Sequence, residues 1–243
     1  MPRRAPWSRD AIRQIAAAQF GLITTAQLDA IGVPRRTVQW SENQLGGMLT
    51  FVLPGVHAFE TSRLMTPEQH LVAAQLYAGP GALITGAARL RKRGVKAARH
   101  RALGPPDEVH VLVDHRSKRA SRDFVRVERT IALPPARPDG LLRLAPLSRA
   151  VLDACRGSRD EEAVRALIYE VVQRELVAPE SLDLERRVGQ KRGSRFARLA
   201  IESVFAGARS IPEGDLVGLL ERAGLGRLRL NVALYSPEGV FIG

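Results

Sequence analysis

The sequence predicts an α+β fold in three consecutive segments, and three observations carry that prediction. Apolar residues recur at helical spacing in residues 8–43 and again in 161–222, the pattern of amphipathic helices. Alternation of apolar and polar residues, the mark of a strand, is confined to short runs such as Asp107–Val113 and Phe124–Glu128. Glycine and proline punctuate the chain often enough to keep every element short. The segments are 1–61, small helices followed by a hairpin; 62–157, mixed helix and strand; and 158–243, mainly helical and ending in a partial hairpin.

The first segment opens with Ser8, a helix cap, before Ile12, Ile15, Ala16 and Phe20 at helical spacing; Gly21 ends that helix. Thr24 and Gln27 have the spacing of a capping box, in which hydroxyl and amide each satisfy a free backbone N–H. The short helix they open buries Leu28 and Ile31 and stops at Gly32. Pro34 then starts a third helix, Arg35–Asn43, with Val38 as its apolar anchor and Leu45 beyond. Met48–Leu53, the turn Pro54-Gly55 and Val56–Phe59 make a hairpin. Three short helices and a hairpin, in this order, are the plan of a winged helix-turn-helix. Its third helix fits a major groove about 12 Å wide. Arg35, Arg36, Thr37, Gln39 and Asn43 are the expected DNA-contacting residues, since Arg pairs with guanine and Asn or Gln with adenine. Arg3 and Arg4 form a basic arm suited to a minor groove, and Pro54 and Gly55 form the wing tip. Trp40 is expected to pack under the hairpin, with stacking on a sugar-phosphate backbone as the alternative.

In the middle segment, Thr66-Pro67-Glu68 starts a helix with Leu71, Val72, Ala74 and Leu76, and Gly79-Pro80-Gly81 stops it. A helix from Thr85 runs into a basic block, Arg89–Arg101, that holds seven Arg or Lys and no acid. The two alternating runs are strands joined by a basic loop, and Pro134, Pro135 and Pro138 mark a further loop. Pro146–Cys155 is a helix. In the third segment, helices start at Glu161, Ala178, Phe196 and Ser210, the last expected to turn Leu216, Leu219 and Leu220 inward. A second basic block, Arg186–Arg198, has six Arg or Lys and no acid. Each block reads equally as a phosphate contact or as a solvated face. Asn231–Tyr235 and Val240–Ile242 flank a turn as two strands of a hairpin.

Across 243 residues, 37 basic against 25 acidic side chains give a formal charge of +12, which points to a polyanionic partner. No apolar run reaches the ~18 residues of a membrane span, and the N-terminus lacks the apolar stretch of a signal peptide, so neither membrane nor export is expected. Cys155, the single cysteine, excludes an internal disulfide and reads as an inert core residue; the expected compartment is the cytoplasm. His100, His110 and His115 have no ligand spacing, Asp153 reads as a cap or surface group, and no phosphate loop or nucleophile elbow is present. No metal, cofactor or catalytic residue is therefore expected.

Gly21-Leu-Ile-Thr-Thr-Ala-Gln-Leu28, Gly32-Val-Pro-Arg-Arg-Thr-Val38 and Leu53-Pro-Gly-Val-His-Ala58 resemble the winged helix of AbiEi-type antitoxins, the DNA-binding members of type IV toxin–antitoxin systems. Gly79–Thr85, Glu108–Val111 and Pro146–Asp153 are similar to the domain that follows it. The resemblance implies binding to double-stranded DNA of the protein's own promoter, repression of its own operon, and neutralisation of a nucleotidyltransferase-like toxin, by a monomer or homodimer. The tail, Ser210-Ile-Pro-Glu213, Ala223-Gly-Leu225 and Asn231–Gly239, resembles the start of a fold related to very-short-patch repair endonucleases, with Glu213 matching its first metal-binding acid. The other acids of that pattern would follow Gly243, so the resemblance implies an incomplete metal site and no nuclease activity. A remnant endonuclease and a protein-interaction module with a basic surface are the alternatives.

Overall fold

The computed structural model describes residues 7–42, 47–60, 65–189, 193–208, 210–225, 230 and 232–242. It is a mixed α+β structure with ten α-helices and two sheets among those residues. The chain forms two compact units: Met1–Ile84 with Asp107–Ala145, and Thr85–Pro106 with Pro146–Gly243. The segment read as 62–157 thus contributes to both.

In the first unit, α1 (Arg9–Ala17) is capped by Ser8, whose hydroxyl accepts the Ala11 N–H. It buries Ile12 and Ala16. Phe20 lies beyond the helix with φ +56° and is exposed, so it does not extend the apolar face as expected. Strand β1 (Leu22–Thr24) was not foreseen, because three residues are too few to show alternation. Thr24 then opens α2 (Thr25–Ala30) with the expected capping box to Gln27. Helix α3 (Arg35–Glu42) follows, then β2 (Leu49–Leu53) and β3 (Val56–Phe59). The sheet is antiparallel in the order β1-β3-β2, with Thr24 opposite Val56 and Phe51 opposite His57. Ile12, Ala16, Ile23, Leu28, Val33, Val38, Leu49 and Phe59 form one apolar cluster beneath these elements.

The rest of this unit begins with α4 (Pro67–Ala78), capped by Thr66 and Gln69 with Pro67 in its first turn. The Gln69 side-chain amide donates to Phe20 O. A five-stranded sheet has the order β6-β5-β4-β8-β7. Its strands are β4 (Leu83–Thr85), β5 (Val109–Asp114), β6 (Val125–Thr130), β7 (Arg137–Asp139) and β8 (Leu142–Leu144). Strands β5 and β6 run parallel although only residues 115–124 join them. That link lies near the lower limit for a parallel crossover, which typically takes a dozen or more residues. Arg129 stitches it by donating to Ser117 O and Arg119 O, and the Tyr77 hydroxyl donates to Ala120 O. The expected Pro134–Pro138 loop is in part an edge strand: Pro138 sits in β7, where a missing N–H is tolerated.

The second unit is helical. Helix α5 (Gly86–Lys92) and two 3-10 turns, Ala97–Arg99 and Arg101–Leu103, precede α6 (Leu147–Arg156), α7 (Glu161–Gln173), α8 (Pro179–Val188), α9 (Arg195–Phe205) and α10 (Ile211–Arg222). Leu90, Val95, Val151, Val164, Leu167, Ile168, Leu182 and Ile201 lie in one core cluster. Cys155 belongs to it, and burial pushes its thiol up to about 12, so it stays protonated at neutral pH. Asp153 is neither a cap nor a surface group; it is buried, and accepts from the Thr85 hydroxyl and from Arg149 and Arg156. Helix α10 starts as expected, with Ser210 accepting the Glu213 N–H, but Val217 is the buried residue, while Leu216 and Leu219 are 46% and 57% exposed. The expected tail hairpin is reduced to one bridge, Tyr235 opposite Phe241; Asn231 and Gly243 lie outside the described residues.

Candidate nucleic-acid interface

Helix α3 begins because Pro34 sets the chain direction and its carbonyl accepts the N–H groups of Thr37 and Val38. The eight residues that follow have one buried aliphatic side chain, Val38, which is little to hold a helix in place. Polar tethers supply the rest. Ser41 is buried and its hydroxyl accepts the Leu49 N–H at 2.9 Å, fixing α3 to β2. At the end of the helix Glu42 Oε1 lies 2.7 Å from His57 Nδ1. The far side of the same buried imidazole, Nε2, is 2.8 Å from Thr25 Oγ1 at the start of α2. One ring in β3 therefore ties together α2, α3 and the hairpin. A hydroxyl, an imidazole and a carboxylate in this order also occur in hydrolase relays; here the buried ring spans three elements and acts as a strut. Sequence reading missed it. The available signal was a histidine inside an otherwise apolar four-residue strand, Val56–Phe59.

With Val38 and Ser41 inward, Arg35, Arg36, Gln39 and Trp40 are exposed and Thr37 is half-buried. Arg35 makes a loose surface pair with Asp29 at 3.7 Å. No side chain pairs with Arg36 among the described residues. Trp40 does not pack under the hairpin as expected: it is 62% exposed. Phe51, on the neighbouring β2, is 51% exposed as well. Pro54 and Gly55 are exposed at the hairpin tip, and the Gly55 carbonyl accepts the Thr25 N–H at 3.0 Å, which holds the tip against α2. Thus α3 and the tip contribute Arg35, Arg36, Thr37, Gln39, Pro54 and Gly55 to one described body. Asn43, Arg3 and Arg4 lie outside the described residues.

The two basic blocks differ. In 186–198, Arg186 and Arg187 both bind Asp183, at 2.6 Å each, and Arg198 binds Glu202 at 3.0 Å. Hydrogen bonds from Arg186 and Arg187 hold the Asp183 carboxyl below the usual carboxylate range. Three of this block's four described arginines are thereby paired with an acid of the protein itself. In 89–101, Arg93, Lys96, Arg99 and Arg101 are exposed and pair with no acid among the described residues. The turn that carries them is rigidly mounted: Glu170 accepts the Lys96 and Ala97 N–H groups at 2.8 and 2.6 Å, and Arg174 donates to Gly94 O and Glu170. Burial works against the charged form of Glu170, but these bonds outweigh it and hold its carboxyl below the usual range.

Among the described residues no group of three His, Cys, Asp or Glu side chains converges as a metal site would require. No helix of the described residues is long and apolar enough to cross a membrane. No protein-family model and no curated protein matches the sequence.

Proposed function

We propose that residues 1–61, at the start of the first unit, are a winged helix and that the chain is a DNA-binding transcriptional regulator of antitoxin type. The observation that carries this reading is α3 itself: a helix held by Val38, Ser41 and Glu42 on one side, with Arg35, Arg36 and Gln39 exposed on the other. Those are side chains that hydrogen-bond base edges; in this reading the basic arm enters a minor groove and the hairpin tip approaches the phosphate backbone. The order helix, strand, helix, helix, hairpin, with β1 closing the sheet, supports it. In this reading the chain represses its own operon and has neither a catalytic step nor a cofactor. A second role, docking an acidic toxin, is favoured by Arg93, Lys96, Arg99 and Arg101 of the second unit, which are exposed and pair with no acid among the described residues.

The test is fluorescence anisotropy on duplex DNA from just upstream of the gene, against a scrambled duplex, over a range of salt. Tighter binding to the upstream duplex that persists at raised salt is expected. Arg36→Ala should then weaken specific binding by about 1–3 kcal/mol. Equal, steeply salt-dependent binding to both duplexes would mean contact through phosphates alone and would sink the regulator reading.

A further inference from the structure

We propose that Trp40 is a specificity-determining residue of α3, an apolar probe that seats on the C5-methyl group of a thymine in the major groove. The proposal rests on the reading of α3 as the DNA-contacting helix and adds to it the kind of base read at one position. Trp40 is one helical turn after Arg36, so the two side chains lie on one line of the helix, opposite the buried Val38 and Ser41. An indole is among the largest apolar groups a protein has, and tryptophan is on average well buried. Here it is 62% exposed, and no hydrogen bond or ring contact engages it among the described residues. On the same exposed side Arg36 supplies a charge that attracts a polyanion, and Gln39 adds an amide able to hydrogen-bond a base edge.

The chemistry of the groove narrows what the indole can meet. Guanine, adenine and cytosine present hydrogen-bonding atoms to the major groove, and thymine alone adds a methyl group. Pressing an indole face on the polar edges would remove water from donors and acceptors that the ring face cannot replace, because the single indole N–H donor points out along the ring plane. Against the thymine methyl, both surfaces are apolar and both gain from leaving water. The helix then carries three complementary readers: Arg36 for guanine, Gln39 for adenine, Trp40 for thymine.

The sequence has two tryptophans, Trp7 and Trp40, so the Trp7→Phe protein reports on Trp40 alone. Trp7 packs only partly buried at the edge of the first core, which suits that substitution. Binding is followed by anisotropy of a labelled upstream duplex, and Trp40 separately by its emission and by iodide quenching. The expected result is that the duplex shields Trp40 from iodide and shifts its emission. Replacing one particular thymine by uracil, which removes only the methyl, should weaken the parent about three- to fivefold. Trp40→Ala should bind about tenfold more weakly and be indifferent to that replacement, while Trp40→Phe retains part of the methyl preference. If the duplex binds specifically while Trp40 stays open to iodide, the proposal fails and the regulator reading stands. The proposal also fails if Trp40 is shielded but no thymine-to-uracil change distinguishes the parent from Trp40→Ala, since that is the outcome of stacking on the sugar-phosphate backbone. If no duplex is preferred, both readings fall together.

Discussion

A buried carboxylate is decided by its partners one atom at a time, and Asp153 is the clearest case. Its side chain is fully enclosed and accepts from Thr85 Oγ1 at 2.7 Å, from Arg149 Nε at 2.8 Å and from Arg156. Removing one charge from such a cluster costs more than the cluster gains by existing, because the remaining ions stay desolvated. Asp153→Asn leaves two buried guanidinium groups facing a neutral amide, although Arg149 keeps Glu185 at 3.6 Å, and is expected to lower stability by about 3–5 kcal/mol in denaturant titration. Arg198→Ala, which breaks the exposed pair with Glu202, should cost no more than about 0.5 kcal/mol. A loss at Asp153 no larger than that at Arg198 would show that the buried cluster is not a stabilising contact. The same scale explains what sequence could and could not say about α3. Val38 was legible as an anchor because it is the one aliphatic residue of the helix. Ser41 was not, because a serine reads alike whether it faces water or, as here, a strand N–H. Trp40 reads two ways in the sequence, packed under the hairpin or stacked on a backbone, and periodicity around a single anchor has too little weight to show that it is 62% exposed.

At the scale of elements, caps were legible and orientation was not. Ser8, Thr24, Thr66 and Ser210 all cap as their sequence contexts predict, since capping needs only residues three apart. Which stripe of α10 turns inward depends on its packing against other helices, the preceding α9 and the more distant α7; contact with them buries Val217 and leaves Leu216 and Leu219 out. Turns obey the same division. Gly94 and Gly193 both have left-handed backbone, with φ of +79° and +74°, so either disfavours a side chain. A Cβ at Gly94 would meet open space, whereas at Gly193 it would fall 2.5 Å from the Arg156 carbonyl oxygen at the end of α6. Gly94→Ala is therefore expected to cost about 1–2 kcal/mol, the backbone term alone. Gly193→Ala adds a collision with backbone and should cost about 2–4 kcal/mol. Equal melting temperatures for the two variants would show that the 193 turn is not seated on α6.

For the whole molecule, the sequence order of segments and the spatial order of units disagree. Residues 107–145 leave the second unit to complete the sheet of the first, so residues 85–106 are separated in sequence from the helices they pack with. Nothing local encodes that excursion. Strand β4 is three residues long, and its pairing with β8 is between residues sixty apart, which no periodicity reveals. It also redistributes charge. The first unit holds 15 basic and 11 acidic residues, the second 22 and 14, so the larger excess does not belong to the unit with α3. Polar contacts across the gap hold the second unit together: Thr85 to Asp153, and Glu170 of α7 to the N–H groups of Lys96 and Ala97.

Glu170 gives this long-range closure a pH signature. Its folded carboxyl titrates below the ordinary glutamate value of 4.5, because the N–H and Arg174 hydrogen bonds outweigh burial. A depressed folded pKa means that its contribution is fully present above pH 4.5 and is lost as pH falls through the folded value. Glu170→Gln should therefore be less stable than the parent at neutral pH, and the two should converge as the pH drops well below 4.5. Denaturant titrations of both proteins between pH 3 and 7 measure the difference. A gap that stays constant over that range would assign the loss to the amide's altered packing. A gap that closes at low pH would assign it to the charge that joins the 94–97 turn to α7, and with it the mounting of Arg93, Lys96, Arg99 and Arg101.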